Sequence, residues 1–184
     1  TPGKHSALGR IGEVACILEA NPMEPVLTEA AVKQLEATVP FMKDKHLAEL
    51  CKDVRKNWAE LLPLLAEDRG YNAMIRTTTA VTMAGGSAQA NVMPEKAWLI
   101  ANNRLLPGQT LDDLWAHYKK ILPEDIDVRL VKGSNPPAVQ STDTYAYQLI
   151  SSIVNEQYPG ITLIPSMLCG GTDSRYYCDL CPTN

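Results

Sequence analysis

No apolar run in the 184-residue chain approaches the ~18 residues of a membrane-spanning helix. There is no basic surplus either: 17 Lys and Arg stand against 21 Asp and Glu, for a net charge of −4. A nucleic-acid surface needs clustered Lys and Arg, so neither nucleic acid nor membrane is an expected partner. No basic, apolar, small-residue leader opens the sequence. Five cysteines make an odd count without disulfide-framework spacing, which predicts reduced thiols and a cytoplasmic protein. Asn-x-Ser/Thr acceptors, internal repeats and low-complexity segments are all missing. The first residue is Thr1 rather than Met, as in a piece of a longer chain. Apolar content of 45% and charged content of 21% are ordinary for a globular protein with a real core.

What is present reads first as helix. Residues 6–20 place Ala7, Leu8, Ile11, Val14, Ala15 and Leu18 on one face, and Asn21-Pro22 stops them. Thr28 is a candidate N-cap for residues 28–38. Residues 44–66 carry a stripe of Leu47, Leu50, Val54, Leu61 and Leu65, with Pro63 predicting a kink or split and Arg69-Gly70 an end. The pattern then changes period. Residues 73–83 alternate, with Ile75, Thr77, Thr79, Val81 and Met83 on one side. Residues 96–106 alternate too: Trp98, Ile100, Asn102 and Arg104 share one face, and Leu99, Ala101, Asn103 and Leu105 the other. Thr110 and Asp113 predict a capped helix through Leu122, and residues 126–131 a short strand. After the Pro136-Pro137 linker, Ser141 is the expected cap of a helix to about Tyr158, burying Tyr145, Leu149, Ile150, Ile153 and Val154. A strand over 161–165 and a helix over 173–180 complete the reading. With one strand added before Thr1, the order is βαββαβ: an α+β, ferredoxin-like antiparallel sheet with helices on one face.

Several residue groups could carry chemistry. Asn102 and Arg104 lie two apart on a strand and project from one face. A planar cation beside a short amide suits a carboxylate, and Asn91 in the preceding loop adds a second amide. The same spacing fits an ordinary exposed polar face. Gly170-Gly171-Thr172-Asp173 follows an expected strand, so its backbone amides could converge on an anion; a plain tight turn capped by Asp173 is the alternative. Cys178 and Cys181 have CxxC spacing, but no second pair or histidine follows, so unrelated thiols are expected. His5, His46 and His117 show no metal spacing, and no Ser or Cys sits in a nucleophile motif.

Six segments in order resemble the aminoacylase/carboxypeptidase family of co-catalytic zinc metallopeptidases, and most closely its Gly-Xaa carboxypeptidases. They are Thr1-Pro-Gly-Lys-His5, Ile75-Arg-Thr-Thr-Thr79, Gly85-Gly86, Asn91-Val-Met-Pro94, Asn102-Asn-Arg-Leu-Leu-Pro-Gly108 and Gly171-Thr-Asp-Ser-Arg-Tyr-Tyr177. The resemblance implies that residues 1–136 are a lid and dimerisation domain, with 22–70 as a helical insertion. Residues 137–184 would return into the catalytic domain. It further implies substrate-binding roles for Asn91, Arg104, Gly171 and Thr172, a peptide or N-acyl amino acid substrate, a homodimer through the lid, and two zinc ions in the intact enzyme.

The family's His-x-Asp and Glu-Glu metal motifs are missing here, and so is the lid histidine that would stand just before Thr1. This stretch is therefore expected to bind no zinc and to catalyse nothing alone. Two other readings compete: a non-catalytic ferredoxin-like dimerisation or small-ligand module, and a thiol redox protein resting on Cys178 and Cys181.

Overall fold

Ser6, Thr28, Asp44, Asp68, Thr110 and Thr144 each stand just before a helix and accept a hydrogen bond from an amide of its first turn. These short polar side chains satisfy donors that have no intrahelical partner. They open α1 (Ala7–Ala20), α2 (Glu29–Thr38), α3 (Lys45–Leu50), α5 (Arg69–Ile75), α6 (Leu111–Ile121) and α7 (Tyr145–Gln157); α4 (Trp58–Glu67) begins after Asn57 without such a bond. Two strands, β1 (Thr78–Gly85) and β2 (Trp98–Arg104), pair antiparallel. The structure is a computed structural model and describes residues 5–139, 141–168 and 173–177. It divides into two units.

The first unit comprises Thr1–Glu24, Thr77–Leu105 and Gln109–Asn135. Its core is Val14 and Leu18 from α1, Met23, and Leu114 and Tyr118 from α6, packed against Val81, Leu99, Ala101 and Leu105. Both helices thus cover the sheet face that the alternation of β2 marks as apolar. Thr110 and Asp113 form a reciprocal capping box at α6. Replacing Thr110 with Ala is expected to cost about 1 kcal/mol of stability, read as a lower denaturation midpoint.

The carboxyl of Asp113 is held below its ordinary value by the Thr110 hydroxyl. Those of Asp125 and Glu13 are lowered by Arg10, which donates to Asp125 at 2.7 Å and to Glu13 at 2.9 Å. Groups lowered in the folded state stabilise it above the ordinary carboxylate range and lose that contribution as pH falls through the lowered value. Tm is therefore expected to drop below pH ~4, and Arg10→Gln to shrink the drop.

The sheet confirms a mixed α+β class, while the described residues hold two of the three sheet strands expected within the chain. Residues 126–131 form no ladder. Arg129 instead donates to Asp127 at 2.8 Å, two residues away on the same side, and Val131 is exposed. A second correction concerns β1, expected over 73–83. Asp68 ends α4 and at once caps α5 through Gly70 and Tyr71, at 2.8 and 2.9 Å. Met74 and Ile75 then bury as helical residues, and Arg69-Gly70 starts a helix instead of ending one. A third concerns Met83. A bulge between Val81 and Met83 inserts Thr82, so Met83 pairs with Ile100 on the open face, opposite to Val81.

The second unit comprises Pro25–Arg76, Leu106–Gly108 and Pro136–Asn184. Val32, Leu35, Leu50, Cys51, Val54, Leu61, Leu65, Met74 and Ile75 form its buried cluster. Burial pushes the Cys51 thiol up to about 11, with Glu36 adding to the effect, so Cys51 packs as a small apolar residue. The helical stretch divides before Asn57 rather than at Pro63. There the Asn57 amide donates to the Leu50 carbonyl at 2.9 Å, and Asp53 accepts from the Lys56 amide at 3.1 Å; α4 runs through Pro63. Ser141 contacts Asp143 while Thr144 caps α7. No α7 residue is buried, and Tyr145, Leu149, Ile150 and Ile153 are exposed. Residues 161–165 are not a strand; Asp173–Tyr176 forms a helical turn, and residues 178–180 of the helix expected over 173–180 lie outside the described residues.

Candidate functional site

The register of the hairpin fixes what each face offers. Thr78 pairs with Arg104, Ala80 with Asn102, Met83 with Ile100 and Gly85 with Trp98. These residues stand on the face turned away from α1 and α6, because their alternates Thr79, Val81, Leu99, Ala101 and Asn103 turn inward. Arg104 and Asn102 are exposed there. Neither side chain has an ion-pair or hydrogen-bond partner among the described residues, so both are available to an anion. At the other end of the same face, Trp98 lies against Gly85. A Cβ on Gly85 would come within 2.6 Å of the indole, closer than real Cβ contacts, so only glycine leaves room for the ring.

Asn91 occupies the loop between the strands, which leaves and re-enters the hairpin at its Gly85–Trp98 end. The loop is shaped by Ser87, whose hydroxyl accepts from the Gln89 amide at 3.1 Å, and by a turn from Val92 to the Gln89 carbonyl at 3.3 Å. Asn91 is exposed. Asn102 and Arg104 are therefore brought together on one face, while Asn91 is carried by a loop attached at the opposite end of β2. Gly171 and Thr172, like Cys178 and Cys181, lie outside the described residues.

Asn103, between the two candidates, has a role that β-strand alternation alone did not assign. It turns inward, and its amide oxygen accepts from the Thr79 hydroxyl and the Tyr118 hydroxyl, each at 2.8 Å. The available signal was an amide in the inward row of Leu99, Ala101 and Leu105. A polar group facing a core requires a partner.

Among the described residues, no group of three or more His, Cys, Asp or Glu side chains is placed to hold a metal ion. His5 and His46 lie beside single carboxylates, Glu13 and Glu60, and His117 against the Asn21 carbonyl at 2.9 Å. These residues do not fit a zinc centre. Nor is any helix of the described residues long and apolar enough to cross a membrane.

The peptidase dimerisation domain of the M20 class matches residues 30–127, more than half of the chain. A probable carboxypeptidase S-like protein of Dictyostelium discoideum is 28% identical over 97% of this chain and 34% of its own length. N-fatty-acyl-amino acid synthase/hydrolases of Bos taurus and Danio rerio are 31% and 34% identical, over 97% and 98% of this chain and 36% of each relative. The chain spans about a third of the length of these relatives. No solved structure matches it. By its domain match and its relatives, the chain belongs to the M20 family of aminoacylase- and carboxypeptidase-type peptidases.

Proposed function

We propose that this chain is the lid and substrate-carboxylate-binding part of a hydrolase acting on small peptides or N-acyl amino acids. The observation that carries this is the exposed pair Asn102 and Arg104 on the uncovered face of β2. A guanidinium offers a planar fork of donors to a carboxylate, and Asn91 supplies a further amide from its loop. The family resemblance assigns Gly171 and Thr172 to substrate binding as well. It also supports residues 1–136 as the lid, 22–70 as an insertion and 137–184 as a return into a catalytic domain. The resemblance also implies two zinc ions for the intact enzyme, which no group of described side chains is placed to hold. The odd cysteine count supports a cytoplasmic location. The test is hydrolysis by the intact enzyme of an N-acyl amino acid and of its C-terminal amide. A strong preference for the free acid is expected, and equal kcat/KM for both would refute the reading.

The same reading includes a homodimer formed through the lid. Among the described residues, strand β1 has only β2 beside it within the sheet, and its eight residues from Thr78 to Gly85 carry no charge. An uncharged edge of this length recruits another strand, and a two-fold axis would join two copies edge to edge. Sedimentation across the micromolar range should give the mass of two chains. A single-chain mass at every concentration would rule the dimer out.

A further inference from the structure

We infer that Asn103 is a positioning residue, which aims Arg104 and Asn102 by clamping the opposite side of β2; this rests on the carboxylate-binding reading above. Arg104 has no side-chain partner among the described residues that could orient it, so its direction is set by the backbone that bears it. That backbone is gripped one residue earlier. The Asn103 amide oxygen receives the Thr79 hydroxyl from β1 and the Tyr118 hydroxyl from α6, both at 2.8 Å. Tyr118 is itself buried and braced edge-on against Trp115. One carbonyl oxygen therefore ties β2 to its neighbouring strand and to the helix beneath it.

The clamp sits where the ladder needs it. The sheet is already irregular at Val81–Met83, and β2 carries two adjacent asparagines that differ only in the face they occupy. A one-residue slip exchanges the faces of a strand and would turn Arg104 toward the core. A slip that put Arg104 in the place of Asn103 would leave the Thr79 and Tyr118 hydroxyls facing a group that cannot accept, and so the two hydrogen bonds select against it. A site whose donors must meet a carboxylate within a few tenths of an ångström is sensitive to such support.

The test uses the intact enzyme, with kcat and KM measured for an N-acyl amino acid and for its C-terminal amide. Tyr118→Phe and Thr79→Val each remove one donor and keep the shape; Thr79→Ser keeps the hydroxyl. Tyr118→Phe and Thr79→Val are expected to raise KM for the acid about 3- to 10-fold, with kcat within about twofold and the amide unaffected. Thr79→Ser should behave as wild type. If KM for the acid stays unchanged in both variants while Arg104→Ala still raises it, the clamp is wrong and the Arg104 reading stands. A preference for the acid that survives Arg104→Ala overturns the Arg104 reading itself. Equal losses on acid and amide would show that Asn103 only stabilises the fold, and would also overturn the inference. Because Thr79 is only half-buried, Thr79→Val keeps the test decisive if Tyr118→Phe unfolds.

Discussion

Replacing Arg104 with Ala in the intact enzyme is expected to lower kcat/KM for a free-carboxylate substrate by about 2–4 kcal/mol, or roughly 30- to 1,000-fold. The magnitude follows from what is removed. A guanidinium–carboxylate contact is a charge-assisted, two-point hydrogen bond. Truncating one side leaves the other charge without its partner, and that penalty exceeds the worth of an exposed ion pair. The structure makes the effect specific. Arg104 faces away from the core and takes no part in the packing of Leu99, Ala101 and Leu105, so its loss should leave Tm nearly unchanged. The C-terminal amide of the same substrate should be hydrolysed equally by wild type and variant. Arg104→Lys should recover only part of the loss, because an ammonium keeps the charge but not the planar fork. Equal kcat/KM for wild type and Arg104→Ala on the free acid would remove Arg104 from substrate binding.

Where the sequence could be read, a local rule and the tertiary structure agreed. Thr28 and Thr110 cap helices because their side chains reach amides three residues on, a matter of local geometry alone. The two faces of β2 were legible because strand alternation is strict and one face is buried. The misreadings share another cause. Residues 73–77 are β-branched enough to suggest strand, yet the cap at Asp68 and the place waiting for Met74 and Ile75 in the buried cluster make 73–75 helical; tertiary packing overrides propensity. The bulge at Thr82 leaves no composition signal, so Met83 was placed on the wrong face. Helix α7 was read with a buried stripe because its apolar residues recur at helical spacing. Periodicity reports that a helix has an apolar face, not that this stretch of chain covers it. In the candidate site, Asn102 and Arg104 were visible as polar residues in a strand. The clamp on Asn103 depends on Tyr118 from a distant helix, which no local pattern contains.

Leu61→Ala is expected to destabilise the second unit by about 2–5 kcal/mol, the cost of lost transfer free energy plus the cavity left behind. Leu61 is fully buried in α4 and shares its cluster with Leu35, Val54, Leu65 and Ile75. These residues come from α2, α4, α5 and the turn before α4, so no single backbone shift can close the void. Leu149→Ala on α7 is the internal control. Leu149 is 43% exposed, and its truncation should cost well under half as much by the same bookkeeping. Native-state hydrogen exchange separates local from global effects. The cluster around Leu61 and the cluster of Val14, Leu18, Met23, Leu114 and Tyr118 have no residue in common. Amides of α4 and α5 should therefore lose more protection in Leu61→Ala than amides of β1 and β2. A uniform loss across both sets would show that the chain unfolds as one cooperative unit. Equal destabilisation by Leu61→Ala and Leu149→Ala would instead place the buried core of this unit elsewhere, because a half-exposed leucine leaves little cavity when it is cut back.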